Sequence, residues 1–234
     1  MSQAFDHVLV VGGTSGLGLE LAKQLRAHSG SVAVLGRSAP RSNEGLSFFY
    51  SDLSYLNSVS SMLAMYDLLS AQRSIDLLVY AAGFYQEGTV GQLTFGDIEK
   101  MLNVGALGPA LFLNAVLLQQ GRLPGFIGIT STSQWIPRKL EPIYSFVKAG
   151  FAAFARSVSL DPAIGKVLLV APAGMKTSFW NGTAIGTSTM LDPAYVAEKT
   201  LACWFGEHGN RELHILREPP RTESRPLIRY DNEW

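Results

Sequence analysis

Short, nearly continuous apolar runs alternate along this chain with longer stretches in which apolar residues recur every three or four positions. The runs fall at residues 7–11, 31–36, 46–50, 75–80, 125–130, 166–170 and 212–216. Their length and β-branched content predict strands. The intervening periodicity predicts helices over 16–28, 54–71, 94–119, 142–159 and 193–205. Strands that are apolar throughout, rather than at alternate positions, belong to a parallel sheet covered on both faces. The pattern therefore predicts a single-domain α/β chain with a doubly wound, mainly parallel seven-stranded sheet. Asp192-Pro193 makes a good helix start, a capping carboxylate followed by proline at the first helical position. Residues 37–45 are too few and too rich in breakers for a crossover helix, and a loop is predicted there. No domain boundary interrupts residues 1–234. The tail, residues 218–234, is polar and proline-containing, and reads as a surface strap or a partly disordered end.

Composition narrows the function. The chain has 234 residues, 47% of them hydrophobic, enough for a sizeable core. Nineteen basic residues balance nineteen acidic ones, so there is no electrostatic footprint for nucleic acid or for an anionic membrane. The single cysteine, Cys203, excludes an intrachain disulfide framework and fits a reducing compartment. No signal peptide is evident and no transmembrane helix is expected. A cytoplasmic setting is the expectation.

The first strand runs into Gly12-Gly13-Thr14-Ser15-Gly16-Leu17-Gly18, which opens a helix. Free N–H groups and a partial positive charge at such a helix start suit a diphosphate. Gly12 permits the turn, Gly16 lets the backbone approach phosphates, and Gly18 allows helix and strand to pack closely. Thr14 and Ser15 add hydroxyl donors. Strand two ends in Gly36-Arg37, where dinucleotide folds often carry an acid for the adenosine ribose. A guanidinium there suits a 2′-phosphate instead, so NADP(H) is favoured, with NAD(H) the weaker candidate. Arg41 is a second cation, read as a surface charge. Asp52 either accepts from the adenine amino group, with Leu53 packed on the ring, or caps the helix starting at Ser54.

Tyr144 and Lys148 lie four residues apart on one helical face, and Ser131 precedes the tyrosine by thirteen positions. A cation near the phenol should favour phenolate and lower the tyrosine pKa. Ser131 follows the fifth strand at its carboxyl end, where ligands bind in open α/β sheets, and its hydroxyl suits polarising a carbonyl.

Over nearly its whole length the chain resembles the compact single-domain branch of the short-chain dehydrogenase/reductase family, which has a Rossmann fold. The resemblance rests on the spacing of Gly12, Gly16 and Gly18 and on the set Ser131, Tyr144 and Lys148. It implies that these last three form a catalytic triad. It implies that Asn103 holds a water in the proton relay to the lysine, the alternative being a polar kink residue. It also implies that Ala81, Ala82 and Gly83 border the cofactor and that Pro172 to Thr177 turn over the nicotinamide. The family's Asn-Asn-Ala-Gly reads Tyr80-Ala81-Ala82-Gly83 here, so any hydrogen bonds of the two asparagines must come from elsewhere.

The expected activity is hydride transfer between NADP(H) and a carbonyl or secondary alcohol on a partly apolar small molecule. The alternative is a catalytically silent nucleotide-binding scaffold. Phe84, Tyr85, Gln134, Trp135, Phe179 and Trp180 are the candidate substrate residues. A mobile lid is expected over 183–191, a stretch rich in Gly, Thr and Ser. Leu111, Leu113, Phe146, Phe151 and Phe154 exceed what one buried face needs. With the resemblance, they predict a homodimer or homotetramer. The sequence names neither the substrate nor the direction of the reaction.

Overall fold

The computed structural model describes residues 4–41, 45–55 and 74–228. Among them the chain forms β1 (Phe5–Val11), α1 (Gly16–Arg26), β2 (Ser29–Gly36), β3 (Ser47–Tyr50), β4 (Leu77–Tyr80), α2 (Phe95–Leu102) and α3 (Gly108–Gln120). It continues with β5 (Leu123–Ile129), α4 (Pro142–Val158), β6 (Ile164–Pro172), α5 (Pro193–Gly206), β7 (Arg211–Arg217) and β8 (Pro220–Pro226). The helix predicted over 54–71 lies outside the described residues after a short 3-10 turn, Leu53–Tyr55.

The strands form one sheet in the order β3-β2-β1-β4-β5-β6-β7-β8. Strands β1 to β7 pair in parallel, and β8 runs antiparallel to β7. Side chains alternate across the pleat. Val8 and Val10 therefore pack on one face with Leu21 and Leu25 of α1 and Val196 and Trp204 of α5. Leu9 and Val11 pack on the other with Phe112 and Val116 of α3 and Phe151 and Ala155 of α4. Both faces are dry, which is why these strands are apolar at every position.

The long helix predicted over 94–119 is divided. Thr94 caps α2 in a reciprocal box: its hydroxyl accepts from Asp97 N at 3.2 Å, and Asp97 accepts from Thr94 N at 3.0 Å. A π-turn over Asn103–Leu107 then separates α2 from α3. The rod Phe95–Gln120 spans 26 residues and is apolar enough to cross a membrane. Here it is a core helix, with Phe112, Leu113, Ala115 and Val116 buried. That burial corrects part of the apolar excess expected at an oligomer surface. Leu113 and Phe151 are core residues, and Leu111 and Phe154 pack partly buried against them. Phe146 remains 65% exposed.

The tail differs from the expectation. Residues 220–226 form an eighth strand, where sequence reading predicted seven strands and a strap. Its prolines sit at the two ends of an edge strand, where proline is tolerated. Beyond its backbone pairing with β7, the strand is tied by Glu212 of β7, a carboxylate that polarity alone did not single out. Glu212 is buried and accepts from Arg156 at 3.0 and 3.1 Å, from Arg225 at 3.0 Å and from Gln134 at 2.9 Å, with His214 Nε2 at 2.9 Å. Four elements thus meet on one side chain. Burial would raise its pKa. Hydrogen bonds from His214, Arg156 and Arg225 outweigh that and hold it at about 2.

Removing one member of a buried ion pair leaves its partners uncompensated. Glu212→Ala should lower unfolding free energy by about 3 kcal/mol, the low end of the usual range, because both arginines keep about a third of their side chains in water. Because the folded pKa lies below the unfolded one, the carboxylate's contribution is complete above pH ~4.5 and is lost as pH falls toward 2. Denaturant melts of wild type and variant across that window should converge at the acid end.

Candidate active site

The carboxyl ends of the parallel strands open into a cleft of about 870 Å³. The chain crosses from β3 to β4 on the far side of β1, so strand order reverses between β1 and β4, where such sheets bind ligands. The glycine turn leads into α1 there, and the Ser15 side chain makes no cap, leaving the first-turn N–H groups to other acceptors. A Cβ on Gly18 would sit 2.1 Å from Gly12 O, so helix and strand touch through hydrogen alone. A Cβ on Gly36 would lie 2.2 Å from Thr14 Oγ1, so no side chain fits at the end of β2 while Thr14 stays in place. Arg37 follows, exposed and lining the cleft. No hydrogen bond or ion pair engages it among the described residues. Asp52 caps the turn after β3, accepting from Ser54 N at 3.0 Å, and also lines the cleft with buried Leu53.

At the other end stand Ser131, Tyr144 and Lys148. Ser131 is the extended residue just past β5. Helix α4 turns a stripe of Tyr144, Val147, Lys148, Phe151, Ala152 and Ala155 inward. Its apolar members anchor the stripe in the core and carry the two polar ones with them. Lys148 Nζ donates to Ile129 O at 3.1 Å, and Thr130 Oγ1 donates to Lys148 O at 3.1 Å, tying the end of β5 to the helix. Burial lowers the lysine pKa to about 8.

Tyr144 differs from expectation. Its pKa is raised, first by burial and then by the Glu141 carboxylate; the hydrogen bond with Ser131 and the Arg138 charge act the other way but do not prevail. Lys148 Nζ lies 5.6 Å from the centroid of the tyrosine ring and does not reverse this.

Asn103 is buried and donates its amide to Ser54 O at 2.9 Å. Its side chain joins the turn after β3 to the start of the π-turn and does not line the cleft. Its side chain thus ties down the kink between α2 and α3. Tyr80, standing where the family has asparagine, donates to Val104 O at 2.5 Å and so satisfies a carbonyl of the same π-turn.

Phe84, Tyr85, Phe179 and Trp180 all line the cleft. Tyr85 meets Tyr144 edge-on at 5.2 Å and Trp180 at 5.4 Å, and stacks on Phe179 at 6.0 Å. Gln134 and Trp135 do not belong to this wall. Gln134 is held by Glu212, and Trp135 stacks on His214 at 4.3 Å outside the cleft. Pro172 and Thr177 border the cleft as expected. The Thr177 methyl approaches to 3.3 Å of where a Cβ on Gly16 would lie, so the segment after β6 folds over the glycine turn. Ile185, Gly186, Thr189 and Met190 of the expected lid face the same space. Leu191 N donates to Gly174 O at 3.0 Å and tethers its end.

Sequence reasoning missed Ser133, Arg138, Glu141 and Arg217, which also line the cleft. Glu141-Pro142 looks like an ordinary helix start. The signal that was available is a carboxylate and an arginine three and six positions before the tyrosine.

With this geometry the comparisons agree. A family model described as short chain dehydrogenase matches residues 6–185. The chain belongs to that family. It is 25% identical over 210 residues to an uncharacterized oxidoreductase of Staphylococcus epidermidis, covering 85% of this chain and 90% of that one. It is 25% identical over 224 residues to a 3-ketodihydrosphingosine reductase of Bacteroides thetaiotaomicron, covering 94% and 78%. Its fold is similar to that of a Sphingobium yanoikuyae short-chain dehydrogenase in complex with NADPH, at TM-score 0.73 and 19% identity, over 88% and 87% of the two chains.

The Tyr80 bond yields a prediction. Tyr80→Phe leaves Val104 O buried without a donor, which costs about 1–3 kcal/mol. Denaturant unfolding should report that loss; an unchanged midpoint would mean the π-turn needs no tie.

Proposed function

We propose that the protein is an NADP(H)-dependent reductase of a carbonyl on a partly apolar small molecule. The observation that carries the reading is a single cleft with Arg37 and the glycine turn at one end and Ser131, Tyr144 and Lys148 at the other. The residues present fit a dinucleotide: a turn too tight for side chains, a helix start without a side-chain cap, and beside it the Arg37 guanidinium, which has no partner among the described residues. A silent scaffold would need none of the three polar groups at the far end.

When bound, the dinucleotide supplies or accepts the hydride. Tyr144 holds its proton because burial and Glu141 raise its pKa, and it gives that proton to the carbonyl oxygen. Ser131 hydrogen-bonds to the same oxygen as charge develops there. Lys148, protonated below pH ~8, offers N–H donors to ribose hydroxyls. The aromatic wall suits an apolar body on the substrate.

NADPH consumption across a panel of carbonyl compounds tests the reading. Tyr144→Phe should keep the fold and nucleotide binding but lose about 10²–10⁴-fold in turnover; near-normal turnover would remove the proposed acid.

Cofactor preference is carried by Arg37. A charge-assisted hydrogen bond to a 2′-phosphate is worth about 1.5–3 kcal/mol, or roughly ten- to hundredfold in affinity. Arg37→Ala should weaken NADPH by that factor and NADH far less. Equal affinity of the wild-type protein for the two nucleotides, measured by titration, would refute the assignment.

A further inference from the structure

Glu141 is the residue before α4, and its side chain makes no cap to the helix. The carboxylate, buried at 7% exposure, turns back instead and accepts from Ser133 Oγ at 2.8 Å. Arg138 NH1 lies 2.6 Å from the same Ser133 oxygen and 3.1 Å from Glu141 Oε2, and its NH2 donates to Thr132 Oγ1 at 3.2 Å. Ser133 in turn holds Ser131: Ser131 Oγ donates to Ser133 Oγ at 3.1 Å, and Ser133 N donates to Ser131 Oγ at 3.1 Å.

A hydroxyl has one proton and two acceptor positions. A carboxylate only accepts and a guanidinium only donates. Ser133 must therefore direct its proton to Glu141 and accept from Arg138. Its second acceptor position takes the Ser131 hydroxyl proton. Ser131 Oγ, donating to Ser133 Oγ and accepting the Ser133 N–H, is fixed in place at the edge of the cleft. We propose that Glu141 and Arg138, acting through Ser133, are positioning residues that fix the Ser131 hydroxyl where it meets the reacting carbonyl oxygen. This rests on the carbonyl-reductase reading of the site and adds to it the device that orients the serine.

Two variants test the device in the full chain with NADPH and phenanthrenequinone as the carbonyl probe. Glu141→Gln presents Ser133 with an amide that donates as well as accepts, and Ser133→Ala removes only one hydroxyl if the first variant folds poorly. Each should lower kcat by about 10- to 100-fold, the size of effect a small misplacement of a reacting group produces, with KM moving less than about threefold. Combined with Ser131→Ala, neither should cost more than about a further twofold. A merely structural role would move thermal stability and kcat together and would still cost activity in the Ser131→Ala background; that result overturns the proposal. Crystal structures of wild type and Ser133→Ala supply a readout independent of turnover. A changed Ser131 rotamer in the variant supports the positioning role, and an identical one overturns it. A wild-type protein that reduces no carbonyl would sink the reductase reading, and the rotamer comparison would then decide this one alone.

Discussion

The register of the parallel strands is the constraint on which the site depends. Val11 pairs with Leu35 on one side and with Tyr80 on the other, and Ile129 pairs with Val170. These pairings line up the carboxyl ends of β2, β1, β4, β5 and β6 along one edge. The glycine turn, Arg37, Gly83, Ser131 and Pro172 all follow within a few residues of a strand end, so they converge without any further fold. A slip of one residue would reverse which side chains face each helix layer. With both layers closely packed, the register has no alternative, and the precision of the cleft follows from the core.

Within that frame, burial governs the chemistry more than charge pairing does. The stripe of α4 that anchors in the core draws Tyr144 and Lys148 out of water together. Desolvation disfavours the charged form of each, raising the phenol and lowering the ammonium. The Glu141 carboxylate pushes the phenol further the same way. The familiar picture of a lysine acidifying its neighbour assumes a solvated cation close to the oxygen. Here the ammonium is itself buried and is directed to Ile129 O.

The parts that could be read from the sequence are those with a periodic or covalently local cause. The strands announced themselves because parallel strands are dry on both faces. The glycine turn, Tyr144, Lys148 and Ser131 were found because their spacing along the chain reflects one turn or one helix face. What escaped depends on partners distant in sequence. Glu212 takes Gln134, Arg156 and Arg225 from three other elements, and no local pattern marks a polar residue in a strand as a hub. The same hub explains the error over Gln134, whose amide is engaged there and not with a ligand. Tyr80 looked like a defect in a motif and proves to be a donor to a helix carbonyl 24 residues on. The break at Asn103 was invisible because the apolar run through 94–119 continues across it.

That break has a consequence for how the chain tolerates change in length. A π-turn is a helix carrying one surplus residue. Each residue of an α-helix turns the following side chains by about 100°. Deleting one position from Asn103–Leu107 would restore regular winding, and because the wide turn had absorbed that residue, Phe112, Leu113 and Val116 would stay on the sheet they cover. In the regular winding of α2 and α3, by contrast, losing one residue would turn every side chain beyond it by about 100°. Loops elsewhere in the molecule can gain or lose residues at little cost, whereas here the count itself is structural information.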